Sequence, residues 1–207
     1  MRIINAHSII ETDIHGQSML QSIERAGRTC YKSEDRITPD SAEKFVRMII
    51  ERGHESVLEH EKVTVRFVVD RGVSHELVRH RLSSFSQESS RYCNYSKDKH
   101  DGEITFILPC WGMDADTQSI WERNMLRSEA DYFALLELGW TPEKARSVLS
   151  HSLKTEVVIT SNLRQWRTIF KQRTSPAAHP QMREVMIPLL HEMQGLIPVV
   201  FDDIEGL

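Results

Sequence analysis

The segment KVTVRFVV, residues 62 to 69, sets Val63, Val65, Phe67 and Val69 against Thr64, Arg66 and Val68. A period of two is what a half-buried β-strand requires, because successive side chains leave opposite faces of the pleat. Asp70-Arg71-Gly72 closes the strand, and Glu103 to Pro109 reads as a second. Residues 2 to 10 are apolar and β-branched enough for another. Leu153 to Thr160 fits either a strand or a buried helix, since Val157-Val158-Ile159 is a short apolar run that periodicity alone does not assign.

Helical spacing fills most of the remaining chain. Gln17 to Cys30 places Leu20, Ile23 and Ala26 or Gly27 on one side, and Thr38-Pro39 reads as a start with Gly53 as the stop. A helix from near Ser74 is expected to run into the segment 79 to 91, because Leu77 or Val78, Leu82 and Phe85 recur at helical intervals. Asp114 to Gly139, Thr141-Pro142 through Leu149, and Asn162 to Arg173 follow. A final helix after His179-Pro180 contains Pro188, which should kink it or end its first half. With 207 residues, 40% hydrophobic, and no repeat or long linker, one domain over 1–207 is expected. It is large enough to bury roughly 70% of its unfolded surface. The pattern implies an α+β class: a single helix-rich domain with a small, mainly antiparallel sheet.

Charge and cysteines remove several function classes. The formal net charge of -4 gives no global drive toward nucleic acid or anionic membrane, so any anion binding has to be local. Cys30, Cys93 and Cys110 are odd in number, far apart and without a C-x-x-C pair, against both a disulfide framework and a zinc site. The opening residues lack the apolar stretch of a signal peptide and no run approaches a membrane span, so a cytoplasmic protein is expected.

Ten histidines invite a metal. His75-Glu76-Leu77-Val78-Arg79-His80 approaches H-E-x-x-H, but its second histidine comes one residue late. On a helix those five steps add roughly 140° beyond a full turn, so the two rings do not close on one ion. His54 and His60 are six apart and would meet only in a loop, while His7, His15, His100, His151, His179 and His191 form no pattern and read as structural or exposed. No metal site is expected. Nor is there a G-x-S-x-G, a G-x-G-x-x-G or a Walker lysine.

Two basic islands remain. RHRLSSFSQESSR, residues 79 to 91, carries three arginines, a histidine and five serines beside Glu88 alone; residues 161 to 173 carry Arg164, Arg167, Lys171 and Arg173 with no acid. Arginine's planar fork suits phosphate oxygens, and serine hydroxyls donate to the same oxygens or to a ring carbonyl. If residues 79 to 81 were helical, Arg79 and Arg81 would point about 200° apart and reach two anions or two subunits. The ordinary reading of NLRQWRTIFKQR is a solvated amphipathic face with Leu163, Trp166, Ile169 and Phe170 inward. A nucleic-acid or nucleotide-binding module without catalysis is the competing functional class, though extended binding needs a continuous basic groove and not two islands.

The chain resembles the flavin-dependent thymidylate synthases. That family's signature, R-H-R followed by seven residues and S, stands here as Arg79-His80-Arg81, LSSFSQE, Ser89; GRTCYKS at 27 to 33, GHESVLEH at 53 to 60 and SRYCNYS after the signature agree. The resemblance implies a homotetramer with active sites shared between subunits, binding FAD noncovalently. It implies reductive methylation of dUMP to dTMP, with methylenetetrahydrofolate as carbon donor and NADPH as reductant. By the same resemblance Ser56, Arg79, His80, Arg81, Gln87, Asn162 and Arg164 would contact FAD. Thr168 stands where the family commonly has His or Asn against the flavin. Glu76, Arg79, Gln87, Glu88, Ser89, Ser90, Arg91, Arg146 and Arg173 would form the dUMP pocket, with Arg91 and Arg146 reaching a neighbouring subunit's substrate. Arg173 would be catalytic, set against the uracil ring.

The last role has a physical rationale. A cation ~4 Å from the imide is worth about 4 kcal/mol at an effective dielectric of ~20, or about three pKa units, enough to favour an anionic, electron-rich pyrimidine. With hydride supplied by the cofactor, no protein nucleophile is needed. Ser89 therefore reads as a ligand hydroxyl, and Cys110, after Pro109, as a strand-end residue.

Overall fold

Strand β3 (Lys62–Asp70) occupies the alternating segment, and Val63, Val65, Phe67 and Val69 are wholly buried. In the computed structural model, which describes residues 1–96 and 102–206, the undecided segment near Leu153 is also a strand, β6 (Lys154–Asn162), burying every second residue from Thr155 to Ser161. His100 lies outside the described residues. A four-stranded sheet has the order β2 (His7–Ile10), β3, β6, β4 (Ser83–Gln87). Leu163 N–H donates to the Glu61 carbonyl while the Thr64 and Thr160 hydroxyls pair, so advancing along β3 means retreating along β6: the two are antiparallel. The same reversal relates β4 to β6, through the Ser83–Ser161 hydroxyl pair and the bond from Glu88 N–H to the Glu156 carbonyl. A separate two-stranded sheet is parallel, β1 (Arg2–Ile4) beside β5 (Thr105–Ile107).

Strand β3 feeds directly into α3 (Arg71–Leu77) and β6 into α6 (Leu163–Arg173), and each junction is made by one Asx residue. Asp70 accepts the Val73 N–H at 2.8 Å and Asn162 accepts the Gln165 N–H at 2.8 Å, so the last strand residue is also the helix cap. The other helices are α1 (Gly16–Thr29), α2 (Ser41–Glu51), α4 (Ala115–Glu137), α5 (Pro142–Ala145) and α7 (Pro180–Leu196).

Several expectations fail locally. The helix expected from Ser74 through Phe85 stops at Leu77, and Ser83–Gln87 is strand β4, with Ser83, Phe85 and Gln87 half-buried against exposed Ser84 and Ser86. The three serines of Ser83–Gln87 are poor helix formers, and Leu82, counted toward the apolar face, is 76% exposed. Residues 2 to 10 form two strands in different sheets. Helix α2 begins at Ser41, whose Oγ accepts the Thr38 N–H at 2.9 Å and donates to the Thr38 carbonyl at 3.0 Å, holding Thr38-Pro39 in a turn ahead of the helix. After Ala145 the chain tightens into a 3₁₀ turn, Arg146–Val148. Helix α7 runs through Pro188 as one element.

The backbone packs as two compact units. The first comprises Met1–His7, Phe67–Arg79 and Ser86–Val157, and the second Ser8–Arg66, His80–Phe85 and Val158–Leu207. The first unit's core includes Tyr95, Ile104, Phe106, Met125, Tyr132 and Leu153. In the second, α1 lies so close to α2 that a Cβ on Gly27 would sit 2.6 Å from the Phe45 ring; only glycine permits that approach. Gly53, at φ +70°, ends the turn after α2, as a glycine stop should. No helix among the described residues is long and apolar enough to cross a membrane.

Candidate functional site

In the first unit the end of β4 gathers much of the candidate substrate set. Gln87 Nε2 donates to Ser74 Oγ at 3.0 Å and Thr155 Oγ1 at 3.3 Å, which fixes its amide between α3 and β6. Glu88 accepts from Lys154 Nζ at 3.1 Å, and the same ammonium reaches Glu156 at 2.6 Å. Burial works against the Lys154 charge, but Glu156 and Glu88 outweigh it and raise its pKa above the usual lysine value. Ser90 is buried and accepts from Arg146 Nη1 at 3.1 Å. Ser89 Oγ accepts the Arg91 N–H at 3.3 Å. The Arg91 side chain is exposed, paired with Glu143 at 2.9 Å and lying over the Tyr92 ring. Glu76 is half-buried on α3, and Arg79 is exposed in the following turn.

In the second unit His80 is buried while Arg81 is exposed. The turn at 79 to 81 is not helical, so the opposed-helix argument for Arg79 and Arg81 does not apply. Arg173, at the end of α6, donates from Nε to His80 Nε2 at 3.0 Å. A guanidinium is always a donor, so His80 accepts and carries its own proton on Nδ1. Burial, reinforced by the Arg173 charge, lowers the His80 pKa from 6.5 to about 4, leaving a neutral imidazole at neutral pH.

The second basic island is less available than its sequence suggests. Arg164 pairs with Glu59 at 2.5 Å, and Lys171 lies 3.7 Å from Asp203. Arg167, counted with the surface charges, is 1% exposed and bound to Glu55 and Asp203. Leu163, Trp166, Ile169 and Phe170 are buried as the amphipathic pattern requires. Thr168 is exposed, its hydroxyl donating to the Arg164 carbonyl at 3.3 Å.

A cleft of about 960 Å³ opens between α1, α2 and the 3₁₀ turn Glu55–His60. Arg28, Arg36, Lys44 and Arg52 line it together with the hydroxyls of Ser33, Ser41 and Ser56, over an apolar floor of Phe45, Met48 and Ile49; among the described residues no carboxylate lines it. Arg28 is locked in place: Glu24, 1% exposed, holds its Nε at 2.7 Å and Nη2 at 2.6 Å, and the guanidinium carbon lies 5.0 Å from the Phe45 ring centre. Ser56 is the one residue of the sequence-derived flavin set in this lining. The four cations are candidates that sequence reasoning missed, although GRTCYKS contains Arg28 and Ser33; the others lie on two separated segments that only the fold brings together. Among the described residues no group of three or more His, Cys, Asp or Glu could hold a metal ion.

Residues 14–199 match the family described as thymidylate synthase complementing protein. The flavin-dependent thymidylate synthase of Corynebacterium efficiens is 33% identical over 94% of this chain and 82% of its own. That of Mycobacterium avium is likewise 33% identical, again over 94% of this chain and 82% of its own. Among solved structures, a UMP/dUMP methylase, PolB from Streptomyces cacaoi bound with 5-Br UMP, superposes with a TM-score of 0.76 at 18% identity, covering 98% of this chain and 95% of that one, a likeness of fold. Family match, identity and coverage agree: the chain belongs to the flavin-dependent thymidylate synthase family.

Proposed function

We propose that residues 1–207 act as one catalytic domain that methylates dUMP reductively to dTMP, using FAD, methylenetetrahydrofolate as carbon donor and NADPH as reductant, in a cytoplasmic homotetramer whose active sites are shared between subunits. The observation that carries the reading is the cleft. Its volume lies near the top of the roughly 300–1,000 Å³ range of ligand pockets, and among the described residues no carboxylate lines it beside Arg36, Lys44 and Arg52, so it favours a large anionic ligand with apolar rings. An FAD fits that description through its pyrophosphate and fused rings, and Ser56 and Arg28 would hold it there. When bound it supplies the hydride.

The chain's own part is binding and polarisation. Gln87, Ser89, Ser90, Arg91 and Arg146, with Glu76, Arg79 and Glu88, are assigned to dUMP; His80, Arg81, Asn162, Arg164 and Thr168 are assigned with Ser56 to the flavin. Arg173 is assigned to the pyrimidine, where a fixed positive charge stabilises negative charge developing on the ring. The neutral His80 holds the guanidinium by its Nε edge without adding a competing charge. The relatives' names and the dUMP methylase fold support the substrate.

Purified protein tests the reading directly. It is expected to be yellow, or to become so when loaded with FAD, and to convert dUMP to dTMP only when folate and NADPH are both present. A colourless protein that cannot be loaded with FAD would contradict it.

A further inference from the structure

Helix α6 buries an arginine where its amphipathic pattern calls for an apolar side chain. Arg167 lies in a row with Leu163, Trp166 and Phe170 yet is 1% exposed. Its guanidinium donates to Glu55 Oε1 from Nε at 3.2 Å and from Nη2 at 3.0 Å, to Asp203 at 2.6 and 2.7 Å, and to the Val200 carbonyl. Burial opposes its charge, and Asp203 and Glu55 outweigh that penalty, raising its pKa. Buried ionic clusters of this kind seldom stabilise more than a well-packed apolar side chain would, so a gain in stability does not account for this one. A local rule broken with full satisfaction of every partner points to specification of geometry.

What the geometry specifies is the seat of the Glu55–His60 turn on α6. Arg164 and Arg167 are three residues apart on the helix, Glu59 and Glu55 four apart on the turn, and they pair as two rungs. The Arg164 rung is half-exposed and weak; the Arg167 rung is buried and forked. Ser56, next to Glu55, lines the cleft, and Arg164, Thr168 and Arg173 lie on the same α6. We propose that Arg167 is a positioning residue: through Glu55 it fixes Ser56 and the cleft wall relative to α6, so that the cleft is formed before FAD enters. Asp203, which is not among the residues lining the cleft, satisfies the rest of the guanidinium together with the Val200 carbonyl, from the chain after α7. This rests on the reading of the cleft as the FAD site.

Glu55→Gln and Asp203→Asn separate the two roles, since each removes one charge from around the buried Arg167 guanidinium while keeping size and an acceptor. FAD affinity is measured by flavin fluorescence on FAD-free protein, alongside the thermal midpoint without FAD. Glu55→Gln is expected to weaken FAD about tenfold, in the range of coupling changes that network residues produce. Asp203→Asn should lower the thermal midpoint at least as much yet leave FAD affinity within about twofold. Equal loss of FAD affinity in both variants, or unchanged affinity in Glu55→Gln, overturns the positioning role. Failure of the unsubstituted chain to bind FAD would instead overturn the assignment of the cleft, and the inference with it.

Discussion

Arg173 Nε donates to His80 Nε2 at 3.0 Å across 93 positions of sequence, joining the two basic islands inside the second unit. The imidazole that accepts from the arginine is neutral at neutral pH. Arg173→Ala is expected to lose nearly all dTMP formation, a fall of about 10³-fold if its charge is worth ~4 kcal/mol to the transition state, while bound flavin is retained. The flavin absorbance of the purified variant, read beside a single-turnover assay, separates the two effects. Near-normal turnover would remove Arg173 from the chemistry.

His80 links that pair to pH. Its folded pKa of about 4 lies below the 6.5 of an unfolded histidine, so between those values the unfolded chain binds the extra proton. Stability is therefore expected to fall as pH drops from 7 through 6.5 toward 4, and the loss is complete below the folded value. The magnitude is about 2 kcal/mol, from 1.36 kcal/mol per pKa unit discounted for partial solvent access. Denaturant unfolding from pH 7 to 4 should show this slope in the native sequence and a flatter one in His80→Gln, whose amide oxygen still accepts from Arg173 but does not titrate. Equal slopes would mean that His80 takes up its proton in the fold as readily as in the unfolded chain.

Ser89 and Arg146 should separate as ligand hydroxyl and anion anchor. Ser89 Oγ already accepts the Arg91 N–H, an arrangement that offers a hydrogen bond to substrate and no activation of the oxygen. Ser89→Ala should keep measurable turnover with dUMP KM raised several-fold, by about 1 kcal/mol for one hydrogen bond. Arg146→Ala, which also leaves the buried Ser90 hydroxyl without its donor, should raise dUMP KM about 30-fold or more, the ~2 kcal/mol expected of a charge-assisted bond. Complete loss of turnover in Ser89→Ala with dUMP affinity intact would reinstate it as a nucleophile.

Much of this fold was legible because local physics and tertiary packing agree. The period of two in β3, the asparagine cap that opens α6 and the glycine after α2 each state their own structure. Ser83–Gln87 was not legible as a strand: its alternation is carried by serines, and its pairing with β6 depends on residues as far away as Ser161, 78 positions on. The candidate site failed to show itself for the same reason. Residues 161 to 173 contain no acid, yet Glu55, Glu59 and Asp203 come from distant segments to neutralise Arg164 and Arg167. Conversely, the cations of the cleft are scattered over 24 positions and become one feature only when Gly27 lets α1 close on α2. Charge counted along the chain overstated one island and missed another.

The central claim is that this chain activates the pyrimidine of dUMP for methylation. It is tested most directly by hydrogen release from the ring carbon that becomes methylated, using dUMP labelled at that position, with folate and NADPH present or withheld. Release that requires dUMP, folate and reduced flavin together, and that disappears in Arg173→Ala, is the predicted result. Label retained in full by protein that binds both FAD and dUMP would contradict it.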